Sequence, residues 1–90
     1  MNDKKILFIC TGNTCRSAFA AAYLRKLCEN RKITDLEVNS AGTNTINGMP
    51  ASENAIIAAK DFGVDLSKHL STCLSAELID SSDIVVCMTK

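Results

Sequence analysis

Ninety residues make one small domain. Ten basic and ten acidic residues leave the net charge at zero, so nothing electrostatic draws the chain to nucleic acid or to an anionic membrane. No apolar run approaches the roughly 20 residues of a membrane-spanning helix.

In chain order, Met1-Asn2-Asp3-Lys4-Lys5 leads into a strand and lacks a cleavage-type pattern, so a signal peptide is not expected. The first strand is predicted over 4–9. A polar loop follows, Cys10-Thr11-Gly12-Asn13-Thr14-Cys15-Arg16-Ser17. A helix is predicted from Arg16 or Ser17 to Asn30, with Ala20, Leu24, Leu27 and Cys28 as its apolar stripe. A short second strand covers 36–39, and a Gly-, Asn- and Thr-rich loop covers 40–49. Pro50 should open a second helix near Ala51, with Ile56, Ala59 and Phe62 inward and Gly63 as the C-cap. Ser75 is the expected N-cap of a third helix reaching Ser81. Ile84 to Met88 is a continuous apolar run, which predicts a strand buried on both faces. Alternating strands and helices imply an α/β, three-layer fold with right-handed crossovers and a parallel sheet of order 2-1-3. Helix one is expected on one face and the later helices on the other. The carboxyl end of the first strand is then the switch point where such sheets bind ligands.

That end is Cys10. Five residues separate it from Arg16. A strand, a tight loop and a helix start converge backbone N–H groups on one point, which favours an anion. The same donors and a guanidinium favour a thiolate. One loop therefore offers a nucleophile and an oxyanion cradle. The plainer alternatives stand beside this: a small apolar Cys, a solvated Arg, a Ser17 that merely caps the helix. Gly12-Asn13 suits positive φ. His69 is the only histidine and Cys10 and Cys15 lack zinc-knuckle spacing, so no metal is expected, and no cofactor motif is present. Five cysteines without framework spacing suggest a reducing, cytoplasmic setting.

Residues 10–17, with the looser stretches Ser40-Ala41-Gly42-Thr43 and Ser82 to Thr89, resemble the low-molecular-weight protein tyrosine phosphatases, nearest to their bacterial protein-arginine-phosphatase branch. One local departure is Ala18, where that family usually has proline. The resemblance implies a flavodoxin-like phosphatase fold and a phospho-cysteine intermediate. It implies that Cys10 is the nucleophile, that Arg16 and the backbone of Thr11, Gly12, Asn13, Thr14 and Cys15 bind phosphate, and that the Ser17 hydroxyl stabilises the thiolate. It also implies a network of Asn13, Ser40 and His69 holding the loop, and a protective disulfide of Cys15 with Cys10. Cys28, Cys73 and Cys87 are expected to be structural. Thr11, where the tyrosine branch has a larger aliphatic residue, favours phosphoarginine over phosphotyrosine. Arsenate reductases share the loop but have further cysteines near strand three, where this chain has Cys87 and Thr89.

The family's general acid lies in an Asp-Pro loop after strand three. Pro50 is the only proline here, and no Asp-Pro pair exists. The family's fourth strand and last helix are not expected within these residues, so the chain reads as the N-terminal part of a longer domain. An apolar strand three at a sheet edge also suggests self-association. The expected function is a cysteine-dependent phosphatase acting on a phosphoprotein or phosphate monoester. The alternative is an oxyanion-binding module that lacks the acid.

Overall fold

The computed structural model describes residues 4–88. The signal-peptide reading of Met1-Asn2-Asp3 and the Thr89 position lie outside them. The elements are β1 (Lys4–Cys10), α1 (Arg16–Asn30), β2 (Leu36–Gly42), α2 (Glu53–Lys60), α3 (Ala76–Ser81) and β3 (Ile84–Cys87). The sheet is parallel throughout, in the order β2-β1-β3. Its register pairs Phe8 with Ser40 and Val86, and Cys10 with Gly42. The loop after Cys10 therefore leaves the centre of the sheet, as the alternation of elements predicts.

Side chains alternate along β1. Leu7 and Ile9, with Ala41 of β2, are buried under Leu74 and Leu78 on the α3 side. The opposite face meets α1. There Ser17, Ala18, Ala21 and Cys28 are the buried residues. The expected stripe was Ala20, Leu24, Leu27 and Cys28, but the first three are only half-buried. Small Ala18 and Ala21 bring α1 close to the sheet, and the larger leucines ride on its flank.

The expectation for the later helices needs correction at several points. Only α3 crosses to the far face. Helix α2 instead packs along α1, its Ala51, Ala55 and Ala59 side meeting Phe19 and Ala22. An alanine face allows that close approach, and alternation of elements cannot specify it. Pro50 does not open α2. It forms an antiparallel bridge with Leu70, and Ser52 is the N-cap, accepting from the Ala55 N–H at 3.2 Å. The C-cap of α2 is Asp61 and not Gly63, which lies two residues further on and takes the left-handed φ of 72° in the turn that follows. Phe62 is not inward but 57% exposed. Ser75 caps α3 as predicted, accepting from the Leu78 N–H.

Strand β3 also departs from expectation. Ile84 and Val85 are 51% and 38% exposed. It pairs only with β1, and among the described residues no helix covers it. A run of apolar residues records hydropathy, not whether a neighbour is there to cover it.

Candidate active site

Residues 10–16, with Met88 at the end of β3, line a depression of about 300 Å³ at the carboxyl end of the sheet. The loop is held from outside through its carbonyls. Cys10 O accepts from the Thr43 N–H and Thr11 O from the Asn44 N–H, both at 2.9 Å. Asn13 O accepts from His69 Nε2 at 2.7 Å, and Thr14 O from the Ser52 N–H at 3.0 Å. A carbonyl only accepts, so His69 carries its proton on Nε2. Among the described residues no carbonyl accepts from the N–H groups of Thr11, Gly12, Thr14, Cys15 or Arg16. Helix α1 begins without a side-chain cap, which leaves its first N–H groups directed at the same depression. With the carbonyls turned out and the N–H groups free, the loop is an anion cradle.

Asn13 is the hub of the loop. It is fully buried, and its φ of 54° is the left-handed conformation that Asn tolerates. Of the Gly12-Asn13 pair, only Asn13 uses positive φ. Its Oδ1 accepts from the Thr72 N–H at 2.8 Å, and its Nδ2 donates to Ser17 Oγ at 2.8 Å. Ser17 Oγ also lies 2.9 Å from Cys10 Sγ, and toward a Cys10 thiolate, which only accepts, the hydroxyl is the donor. The Asn13 N–H also reaches Cys10 Sγ, at 3.2 Å. The predicted network thus contains Asn13 and His69, but Ser40 is not part of it. Ser40 sits within β2 opposite Phe8 and makes no hydrogen bond to Asn13. The Thr72 backbone takes the place expected for Ser40.

Burial alone would push the Cys10 thiol up. The Ser17 hydroxyl and the N–H groups of Ser17, Asn13 and Gly12 outweigh it, and the net shift is downward. A lowered thiol pKa means that the native state favours thiolate. That contribution to stability is full above the ordinary thiol pKa and is lost as pH falls through the lowered value. Alkylation of Cys10 should therefore titrate at lower pH than an unperturbed thiol. Ser17→Ala should shift that midpoint upward and slow alkylation at neutral pH. A midpoint that does not move with Ser17→Ala would remove the hydroxyl from this role.

Arg16 is exposed, and its Nη1 donates to Met88 O at 3.0 Å. That contact holds the guanidinium at the rim beside the N–H groups. Cys15 is exposed and unpaired, and all five cysteines are free. Cys28 is buried as a structural cysteine should be, whereas Cys73 and Cys87 are exposed and support no core. Among the described residues no Asp or Glu lines the depression. Asp83 is tied to the Lys5 N–H at the opposite end of the sheet, and Asp65 to the Ser67 N–H. Among the described residues no three His, Cys, Asp or Glu side chains group as metal ligands. Among the described residues no helix is long and apolar enough to cross a membrane.

Two contributors escaped sequence reasoning. Ser52 caps α2 with its side chain and pins Thr14 with its N–H. Gly42 lies against the loop, where a Cβ would stand 2.7 Å from Thr11 O and 3.0 Å from the Gly12 carbonyl carbon. A glycine at the end of a strand was the available signal for that close approach.

A parallel α/β sheet whose central strand ends in this cradle and a polarised thiol defines a cysteine-centred phosphate-site protein. The family profile described as low molecular weight phosphotyrosine protein phosphatase matches residues 5–90. The chain belongs to that family. It is similar to a protein-arginine-phosphatase of Geobacillus stearothermophilus, at 44% identity over 96% of this chain and 55% of the relative. An arsenate reductase of Staphylococcus aureus strain Newman is 38% identical over 96% of this chain and 60% of its own length. The solved YwlE arginine phosphatase from Geobacillus stearothermophilus superposes with a TM-score of 0.82 at 43% identity, covering 96% of this chain and 53% of that one. The chain thus spans little more than half the length of these relatives.

Proposed function

We propose that this chain carries the nucleophile and phosphate cradle of a cysteine-dependent protein phosphatase. The observation that carries the reading is the outward tethering of the loop carbonyls around a thiol held down by hydrogen bonds. Cys10 Sγ attacks phosphorus, the bond from phosphorus to the leaving nitrogen or oxygen breaks, and a phospho-cysteine forms. Water then attacks phosphorus, which releases phosphate and returns the thiolate. The N–H groups from Thr11 to Ser17 and the Arg16 guanidinium hold the phosphoryl oxygens. The Ser17 hydroxyl stabilises the sulfur both as nucleophile and as leaving group. Asn13 and His69 keep the loop in shape.

Phosphoarginine is the favoured substrate. Thr11 lines the depression with a small hydroxylated side chain, and the 44% identical relative is a protein-arginine-phosphatase. Phosphotyrosine is the second choice, from the family profile. The arsenate reductase reading is weaker, because Cys87 is the one cysteine on β3. Five free cysteines suit a reducing cytoplasm. Residues 1–90 then form the N-terminal part of a larger phosphatase domain, and exposed Ile84 and Val85 offer a surface for self-association.

An oxyanion-binding module is the competing reading, which needs only the anion cradle that the loop N–H groups and Arg16 form. Single-turnover labelling separates the two. Incubation with phosphoarginine or an aryl phosphate, followed by acid quench and mass spectrometry, should place a phosphoryl group on Cys10. Phosphate binding without any label on Cys10 would leave the binding module as the function.

A further inference from the structure

A second depression adjoins the cradle, between the start of α1 and the outer side of α2. Cys15, Arg16 and Phe19 form one wall, and Ala55, Ala58 and Phe62 the other. Its lining is apolar, so Arg16 meets it with the aliphatic stem and keeps the guanidinium at the cradle. The aromatic wall is set in place. Phe19 stacks on Tyr23 at 5.7 Å, and Phe62 meets Phe19 edge-on at 5.4 Å and Tyr23 at 6.1 Å. Although part of that cluster, Phe62 leaves more than half its surface to solvent.

Size selects the occupant. The volume is about 210 Å³, below the roughly 300–1,000 Å³ of sites that enclose a small-molecule ligand. It suits one apolar side chain. Position selects its source. Cys15 and Arg16 line both depressions, so a phosphorylated residue seated in the cradle brings its chain neighbours over the groove. We infer that this groove takes an aliphatic or aromatic side chain flanking the phosphorylated residue of a protein substrate. The phosphatase would then read sequence context as well as phosphate. The inference rests on the phosphatase reading of the cradle and deepens it.

Binding is measured on the full chain carrying Cys10→Ala, which lacks a nucleophile to phosphorylate. The probes are inorganic phosphate and two phosphotyrosine peptides, flanked by leucine or by serine. The leucine peptide should bind about tenfold tighter, as burial of most of one apolar side chain predicts. Ala58→Gln, on an exposed helix position, should abolish that difference and leave phosphate affinity unchanged. Phe62→Ser should do the same, and circular dichroism establishes that both variants are folded. Equal affinity for the two peptides, with phosphate still bound, would overturn the groove and leave the cradle standing. Failure of phosphate itself to bind would overturn both. If Phe62→Ser instead turns a dimer into a monomer in sedimentation without altering peptide binding, the groove is a contact between copies and the inference fails.

Discussion

An activated aryl phosphate should phosphorylate Cys10 in this chain, whereas a phosphate monoester with a poor leaving group should react about 10²–10⁴-fold more slowly than an acid-assisted enzyme allows. The cradle and nucleophile are local to residues 10–17, but among the described residues no carboxylate lines the depression. A nitrophenolate departs without a proton. A more basic oxygen does not, and Asp65 and Asp83 are tied elsewhere. Hydrolysis of the phospho-cysteine needs a base to activate water, so it should be slow as well. The expected time course is a burst of one nitrophenolate per chain followed by a slow steady state. Cys10→Ala should abolish both phases. Rapid-quench measurement across aryl phosphates of increasing leaving-group pKa checks this. Fast turnover that is insensitive to the leaving group would mean that another group of this chain supplies the proton.

Gly42→Ala should damage the site although no residue of the loop is substituted. The added methyl would lie 2.7 Å from Thr11 O and 2.8 Å from Thr45 Cγ2. Two of its three nearest neighbours are loop backbone, which cannot swing aside as a side chain does. Either the loop moves or the end of β2 lifts. Lifting β2 would strain the bonds from the Gly42 N–H to Thr72 O and from the Leu74 N–H to Gly42 O, both 2.8 Å. Thr72 is also the donor to Asn13 Oδ1, so the disturbance reaches the hub of the loop. Overpacking of this kind costs about 1–3 kcal/mol. A shift on the order of 1 Å at reacting groups is enough for about 10²-fold in rate. Gly12→Ala is the contrast, since its methyl would meet only Thr14 Oγ1, at 3.4 Å. Denaturant unfolding and the burst rate of Cys10 phosphorylation should separate the two variants. An unchanged unfolding midpoint and burst rate in Gly42→Ala would show that the close approach is without consequence.

The cradle was legible because its parts are consecutive. Cys10, Asn13, Arg16 and Ser17 act together through local geometry, and a strand followed by a helix is enough to aim them. Sheet order followed from the alternation of elements. What lay beyond reach depends on distant segments meeting. Ser40 was expected beside Asn13, but strand pairing sets it opposite Phe8, and a backbone N–H at Thr72 serves instead. A backbone donor leaves no mark on composition. The placement of α2 against α1 and the exposure of β3 were missed for the same reason, since each depends on which surface is nearby.

The tethers of the loop have a kinetic consequence. Its anchors come from 56 and 59 residues further along the chain, at His69 and Thr72. Contacts of such long span close late, because the entropy of the intervening loop is lost before they form. Thr43, Asn44 and Ser52 must also be in place. The anion site is therefore finished only when these distant anchors have docked. An anion that recognises the finished loop and not the open chain acts as a folding ligand, deepening the native well by RT ln(1 + [L]/Kd). Occupancy of the cradle thus reports that the segments anchoring it, as far along as His69 and Thr72, have reached their native arrangement.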